Sequence, residues 1–227
     1  MSAVSLSNEA QGGSAQAQES SDPGKKKVQP RHKKKFPTAS RGLLIGGAIL
    51  LLVSSFLPWW GLDLLAPQYP EGLSIIVYPD KLAGQGEYDI VNLNALNHYI
   101  GMDKISEAGF PELQYIKYII WGMAALIVAV ALLGSRKLAY IACALFVVGA
   151  AVGLYDMYHW LQTFGSNLAP DAPIIVPPFV PPMIGENHLA NFTTYSSFRI
   201  GFFFLVASAV FVFVGTWGDK LWARKRA

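Results

Sequence analysis

The feature that most constrains this chain is the gathering of its apolar residues into four blocks, at residues 42–60, 113–133, 138–160 and 198–218, rather than at amphipathic intervals. A helix on the surface of a soluble core keeps a polar face, and residues 138–155 have almost none. With 52% of 227 residues hydrophobic and 15% charged, this is a membrane protein's distribution. The expected fold class is an all-α membrane protein with four transmembrane helices. Trp59 and Trp60 are expected at the outer interface of the first span, which lies near the lower length limit for crossing a bilayer.

The charges are sorted as clearly as the apolar residues. Residues 1–41 run from a Ser/Ala/Gln/Gly-rich tract into Lys25-Lys26-Lys27 and Lys33-Lys34-Lys35, a composition that forms no core and is expected to be a disordered basic tail. Next to an apolar span, such a tail is expected to meet anionic lipid rather than nucleic acid. Fourteen of the eighteen Lys and Arg residues fall in the 1–41 tail, the 134–137 turn and the 219–227 tail, which share one side if four spans are present. The positive-inside rule then puts both termini in the cytoplasm, with an uncleaved signal anchor in a bacterial inner membrane.

The loop at 61–112 holds Asp63, Glu71, Asp80, Glu87, Asp89, Asp103, Glu107 and Glu112 against Lys81 and Lys104. The loop at 161–197 holds Pro170, Pro173, Pro177, Pro178, Pro181 and Pro182, which forbid helix and favour a stiff extended strap. Together the two loops are expected to form a small extracytoplasmic cap. Lys117 and Arg199 are expected to snorkel at helix ends.

Candidate chemistry concentrates on that side. In residues 91–102, Leu93, Leu96 and Ile100 recur at helical spacing, His98 and Met102 stand four apart, and Gly101 is placed to end the helix. His159, His188 and Met183 fall on the same side, and Asp156 lies three residues before His159, where a carboxylate can orient a ligating imidazole. Imidazole with thioether points to copper more than to zinc. Packing methionines and histidines bonded to backbone account for the same residues without a metal. Gly149 and Gly153 form a small-x-x-x-small pair suited to helix packing. Asn191-Phe192-Thr193 is a glycosylation sequon that matters only in a eukaryote. The single Cys143 excludes an intramolecular disulfide and a four-cysteine zinc site, and the sequence holds no phosphate-binding loop, nucleophile elbow or His-Glu-x-x-His.

Several runs together, Ala66-Pro67-Gln68-Tyr69-Pro70-Glu71-Gly72, Leu96-Asn97-His98-Tyr99-Ile100-Gly101-Met102, Pro111-Glu112-Leu113, Pro181-Pro182-Met183-Ile184-Gly185 and Asn191-Phe192-Thr193, resemble a family of bacterial multi-span membrane proteins. Members are encoded near nitrous-oxide reductase maturation and copper-chaperone genes. The resemblance covers about half the chain and implies an accessory role in supplying or assembling a copper-dependent enzyme of denitrification. Family members carry a histidine before an Asn-Leu pair in the second loop; here Ser166 precedes Asn167-Leu168, so no metal role carries over to that place.

The expectation is therefore a non-enzymatic membrane accessory protein that handles copper on the extracytoplasmic side, with a copper enzyme or chaperone as partner. His98 and Met102 are its first ligands, followed by His159, His188 and Met183. The alternative is a metal-free scaffold whose outer loops dock a partner. A membrane enzyme using Asp156 and His159 as acid and base is the third reading.

Overall fold

A computed structural model of the chain describes residues 37–189 and 191–224. The basic tail expected at 1–41 lies outside the described residues up to residue 36, as do residues 225–227. In chain order the elements are α1 (Thr38–Ser54), β1 (Trp60–Ala66), β2 (Tyr69–Val77), β3 (Leu82–Ala83), α2 (Asp89–Tyr99), α3 (Leu113–Leu133), α4 (Arg136–Ser166), β4 (Gly185–Leu189), β5 (Phe192–Phe198) and α5 (Ile200–Arg224). A single 3-10 turn, Glu107–Gly109, precedes α3.

Among the described residues, three helices are long and apolar enough to cross a membrane: α3, α4 and the Ile200–Gly218 part of α5. That is the make-up of a multi-pass membrane protein. The first apolar block differs from the four-span expectation, because α1 has only 17 residues and ends at Ser54. Trp59 and Trp60 do not extend it. The Trp59 N–H donates to the Val77 carbonyl at 2.8 Å, and Trp60 opens β1.

The helices pack around α1, which lies against both α5 and α3. Leu44, Ala48 and Leu51 repeat at helical spacing and are buried with Ile127 and Val130 of α3, Cys143 and Phe146 of α4, and Val212 of α5. Ser208 donates its hydroxyl to the Gly47 carbonyl at 2.7 Å. A left-handed Gly134 ends α3 and turns the chain straight into α4. Beyond Phe146, α4 leaves this core, and every residue from Val147 to Tyr155 is exposed. It is engaged again near its end, where Trp160 and Phe164 meet the Phe110 ring at 4.7 and 5.6 Å and Gly165 accepts from the Phe179 N–H at 2.9 Å.

The all-α expectation is overturned by the two loops. They build a five-stranded antiparallel sheet in the order β3-β2-β1-β5-β4, with α2 packed on one face, so the fold is mixed α and β. The cause is a period-two pattern hidden among turn residues. In β1, Trp60, Leu62, Leu64 and Ala66 share a face, and the register sets them beside Val77, Ile75, Leu73 and Tyr69 of β2. Leu93 and Leu96 of α2 close over that surface. The prolines of the second loop keep residues 167–184 out of regular structure, but the aromatic and β-branched run Phe192–Phe198 beyond them pairs with β1.

The sheet grows directly out of the bundle. β1 follows α1, β5 leads into α5, and their ladder continues past the strand ends through Arg199 N–H to Trp59 C=O at 2.9 Å and Gly201 N–H to Pro58 C=O at 2.8 Å. Ser54, fully buried, donates its hydroxyl to the Gly201 carbonyl at 2.7 Å. A Cβ at Gly201 would lie 2.7 Å from both the Leu57 and Pro58 carbonyl oxygens, so this approach requires glycine. Gly201→Ala is expected to lower stability by about 2 kcal/mol through overpacking, read as a depressed Tm in detergent. Gly153→Ala, where a Cβ meets open space, is expected to leave Tm unchanged.

Candidate functional site

The sheet-bearing end of the bundle owes one concavity to the way α2 is tied down. Asp89, the first residue of α2, accepts three backbone N–H groups, from Ser74 at 3.1 Å, Gln85 at 3.1 Å and Gly86 at 2.8 Å. Its charge also suits the positive end of the helix. One turn on, the Asn94 amide grips Ile105 twice: its Nδ2 donates to the Ile105 carbonyl at 2.8 Å and its Oδ1 accepts the Ile105 N–H at 2.7 Å. That fixes the segment after α2 alongside the helix. The Glu107 carboxylate accepts the Leu82 N–H at 3.1 Å, fastening the same segment to β3.

The end of α2 is held by the proline-rich strap. Gly101 takes φ +76°, a left-handed turn that also lets the strap come close: a Cβ there would sit within 2.9 Å of Ala169 backbone atoms. The Ala169 N–H donates to the Gly101 carbonyl at 2.8 Å and the Ile174 N–H to the Tyr99 carbonyl at 2.9 Å. Helix, following segment and strap enclose an open groove of about 1070 Å³. It is lined by His98, Met102, Asp103, Glu107 and Asp171 among apolar side chains that include Ile90, Val91, Ala95 and Pro173.

Of the residues singled out in the sequence, the groove brings His98 and Met102 together and leaves the others elsewhere. His188 stands on the edge strand β4, where Nε2 is 3.1 Å from Glu186 Oε1 and Nδ1 is 3.0 Å from Thr193 Oγ1. Met183 precedes that strand, its carbonyl accepting the Trp60 indole N–H at 2.7 Å. His159 lies on α4, stacked on Tyr155 with ring centroids 6.3 Å apart, one turn beyond Asp156. Among the described residues, no three His, Cys, Asp or Glu side chains gather into a metal-holding group. Gly149 and Gly153 are exposed, and no heavy atom lies within 4 Å of a Cβ built on either.

The sheet face away from α2 carries polar chemistry that the sequence reading missed. Cross-strand register aligns Glu186, Tyr195, Asp63 and Ser74 in one row. The Tyr195 hydroxyl donates to Glu186 at 3.0 Å, and that bond raises the phenol's pKa above its ordinary value. Asp63 accepts from Ser74 at 2.7 Å and from Arg199 at 2.6 Å. Arg199 therefore reaches across the sheet, and Lys117 likewise pairs with Asp80 at 2.6 Å. The signal for Asp89 was present in the sequence: an Asp after Gly84-Gln85-Gly86, opening an apolar-periodic run, is a helix-start pattern. No local pattern marks Asp63 or Arg199, whose side chains meet across 136 residues.

Comparison with known protein families, with curated proteins and with solved structures finds no match. The groove is the feature from which function is argued. Gly101→Ala is expected to free the strap from the end of α2, because the added Cβ meets Ala169 and the left-handed turn is strained. Hydrogen exchange at the Ala169 and Ile174 amides should accelerate by about tenfold or more while exchange in α3 stays unchanged.

Proposed function

We propose that this protein is a membrane-anchored accessory factor whose sheet-and-helix domain docks a partner protein on the extracytoplasmic side of a bacterial inner membrane. The observation that carries this reading is the groove along α2, whose walls are fixed by hydrogen bonds and which is bordered by apolar side chains left in contact with solvent. Of the residues that line it, Val91 is 65% exposed and Ala95 is exposed as well. An apolar surface of this kind outside the membrane-crossing helices favours an interaction site. Orientation rests on the basic residues: Arg136 and Lys137 open α4, at the end of the bundle opposite the sheet, and the tail that follows the α5 span is basic.

Copper handling is the second reading, and its support is that His98 and Met102 line the same groove. Imidazole and thioether together favour copper(I), and the resemblance of the Asn97-His98-Tyr99-Ile100-Gly101-Met102 run points the same way. In this reading the partner is a copper enzyme or chaperone, and the groove presents or receives the metal.

Two measurements separate these possibilities. A photo-crosslinking residue at Val91 is expected to trap one specific partner, with the adduct lost in Ala95→Trp, which fills the groove. Equal trapping from Leu65, on the opposite sheet face, would refute docking through α2. Copper analysis after copper(I) loading under reducing conditions tests the metal: about one tightly held copper in the wild type, lost in His98→Ala/Met102→Ala, would establish copper handling. Crosslinking that survives both chelation and the double substitution would leave docking as a metal-free function.

A further inference from the structure

The groove along α2 combines two properties that select an occupant together. Ile90, Val91 and Ala95 line it with apolar surface, while Asp103, Glu107 and Asp171 line it with carboxylates opposed by Lys104 alone. Those charges are not neutralised within the domain. The cations Lys117 and Arg199 are committed to Asp80 and Asp63, and among the described residues neither Asp103 nor Asp171 makes an ion pair. The three carboxylates form no metal-holding group with His98. An anionic lipid headgroup or an acidic peptide would meet like charge, and a purely polar cationic chain would leave the apolar lining wet.

We propose that the groove receives a cationic amphipathic segment of the partner protein, a stretch that lays apolar side chains against Ile90, Val91 and Ala95 while its Lys or Arg residues face Asp103, Glu107 and Asp171. This inference rests on the docking role assigned to the groove and specifies the chemistry of what docks. Charge complementarity sets the sign and orientation of the segment, and apolar burial supplies the contact area. The segment is an amphipathic helix or a short extended stretch; either form places alternate faces on the two kinds of lining.

The test uses the full chain in a neutral maltoside detergent and fluorescence anisotropy, corrected for protein-free micelles. Three short fluorescein-labelled peptides serve as probes: leucine and lysine at amphipathic helical spacing, leucine and glutamate in the same pattern, and serine and lysine with the same charge. The leucine–lysine peptide is expected to bind best, and its affinity to fall as salt rises. Asp103→Asn/Glu107→Gln/Asp171→Asn is expected to weaken it by roughly tenfold, as the loss of three exposed pairings requires. Glu71→Gln/Glu87→Gln, which removes exposed charge outside the groove, is expected to bind as the wild type does.

Unchanged affinity in the triple variant, or equal binding of the serine–lysine peptide, would overturn the proposal. Preferential binding of the leucine–glutamate peptide, abolished by Ala95→Trp, would overturn the cationic occupant while leaving docking through the groove intact. Peptide binding insensitive to Ala95→Trp would overturn both.

Discussion

The junction where α1 becomes β1 and β5 becomes α5 is the constraint on which the rest of the structure depends. Where an apolar helix ends, each backbone N–H and C=O it frees must find a partner at once, since its apolar surroundings offer them nothing. Here the ends are matched. The last buried hydroxyl of α1, on Ser54, takes the carbonyl of Gly201 at the start of α5, and the adjacent backbone groups of Pro58 and Trp59 pair with Gly201 and Arg199. The antiparallel helix pair thus passes into an antiparallel strand pair without a gap, and β1 becomes the middle strand of the sheet.

The charged pairs follow from that geometry. Arg199 sits one residue before α5 and Lys117 one turn into α3, close to the boundary between bundle and sheet. Both reach carboxylates of the sheet domain, Asp63 and Asp80, and the Lys117 ammonium also lies 5.3 Å from the Phe56 ring and 5.6 Å from the Trp121 ring. Partly exposed pairs of this kind contribute modestly to stability, and their value here is orientation. They hold the sheet domain in one attitude on the helices that carry it. A groove whose walls come from α2, the 101–107 segment and the 169–174 strap needs such a fixed base.

The membrane helices were legible because their signal is long and local: α3 and α4 are long, largely apolar runs parted by the short Gly134-Ser135-Arg136-Lys137 stretch. The sheet was not, for a physical reason that recurs in each strand. Trp60-Gly61-Leu62-Asp63 continues an apolar helix without a composition break, so Trp59 and Trp60 read as an interfacial belt rather than a strand start. Strands of five to nine residues carry too few alternations to announce themselves, and β1 and β5 find each other across more than a hundred residues. His98 and Met102 were legible as neighbours because helical spacing places them so. The carboxylates sharing their groove come from the segment after α2 and from the strap, and hydrogen bonds at Asn94, Tyr99, Gly101 and Glu107 bring those together.

The length of α4 carries a consequence for reach. At 31 residues it measures about 46 Å, whereas a hydrocarbon layer is about 30 Å thick. The helix is thus roughly 15 Å longer than a hydrocarbon layer is thick, and its last stretch carries the aromatic contacts with Phe110 and the backbone tie to Phe179. The helix acts as a mast. It props the strap, and with it one wall of the groove, beyond the length of α4 that a hydrocarbon layer would cover.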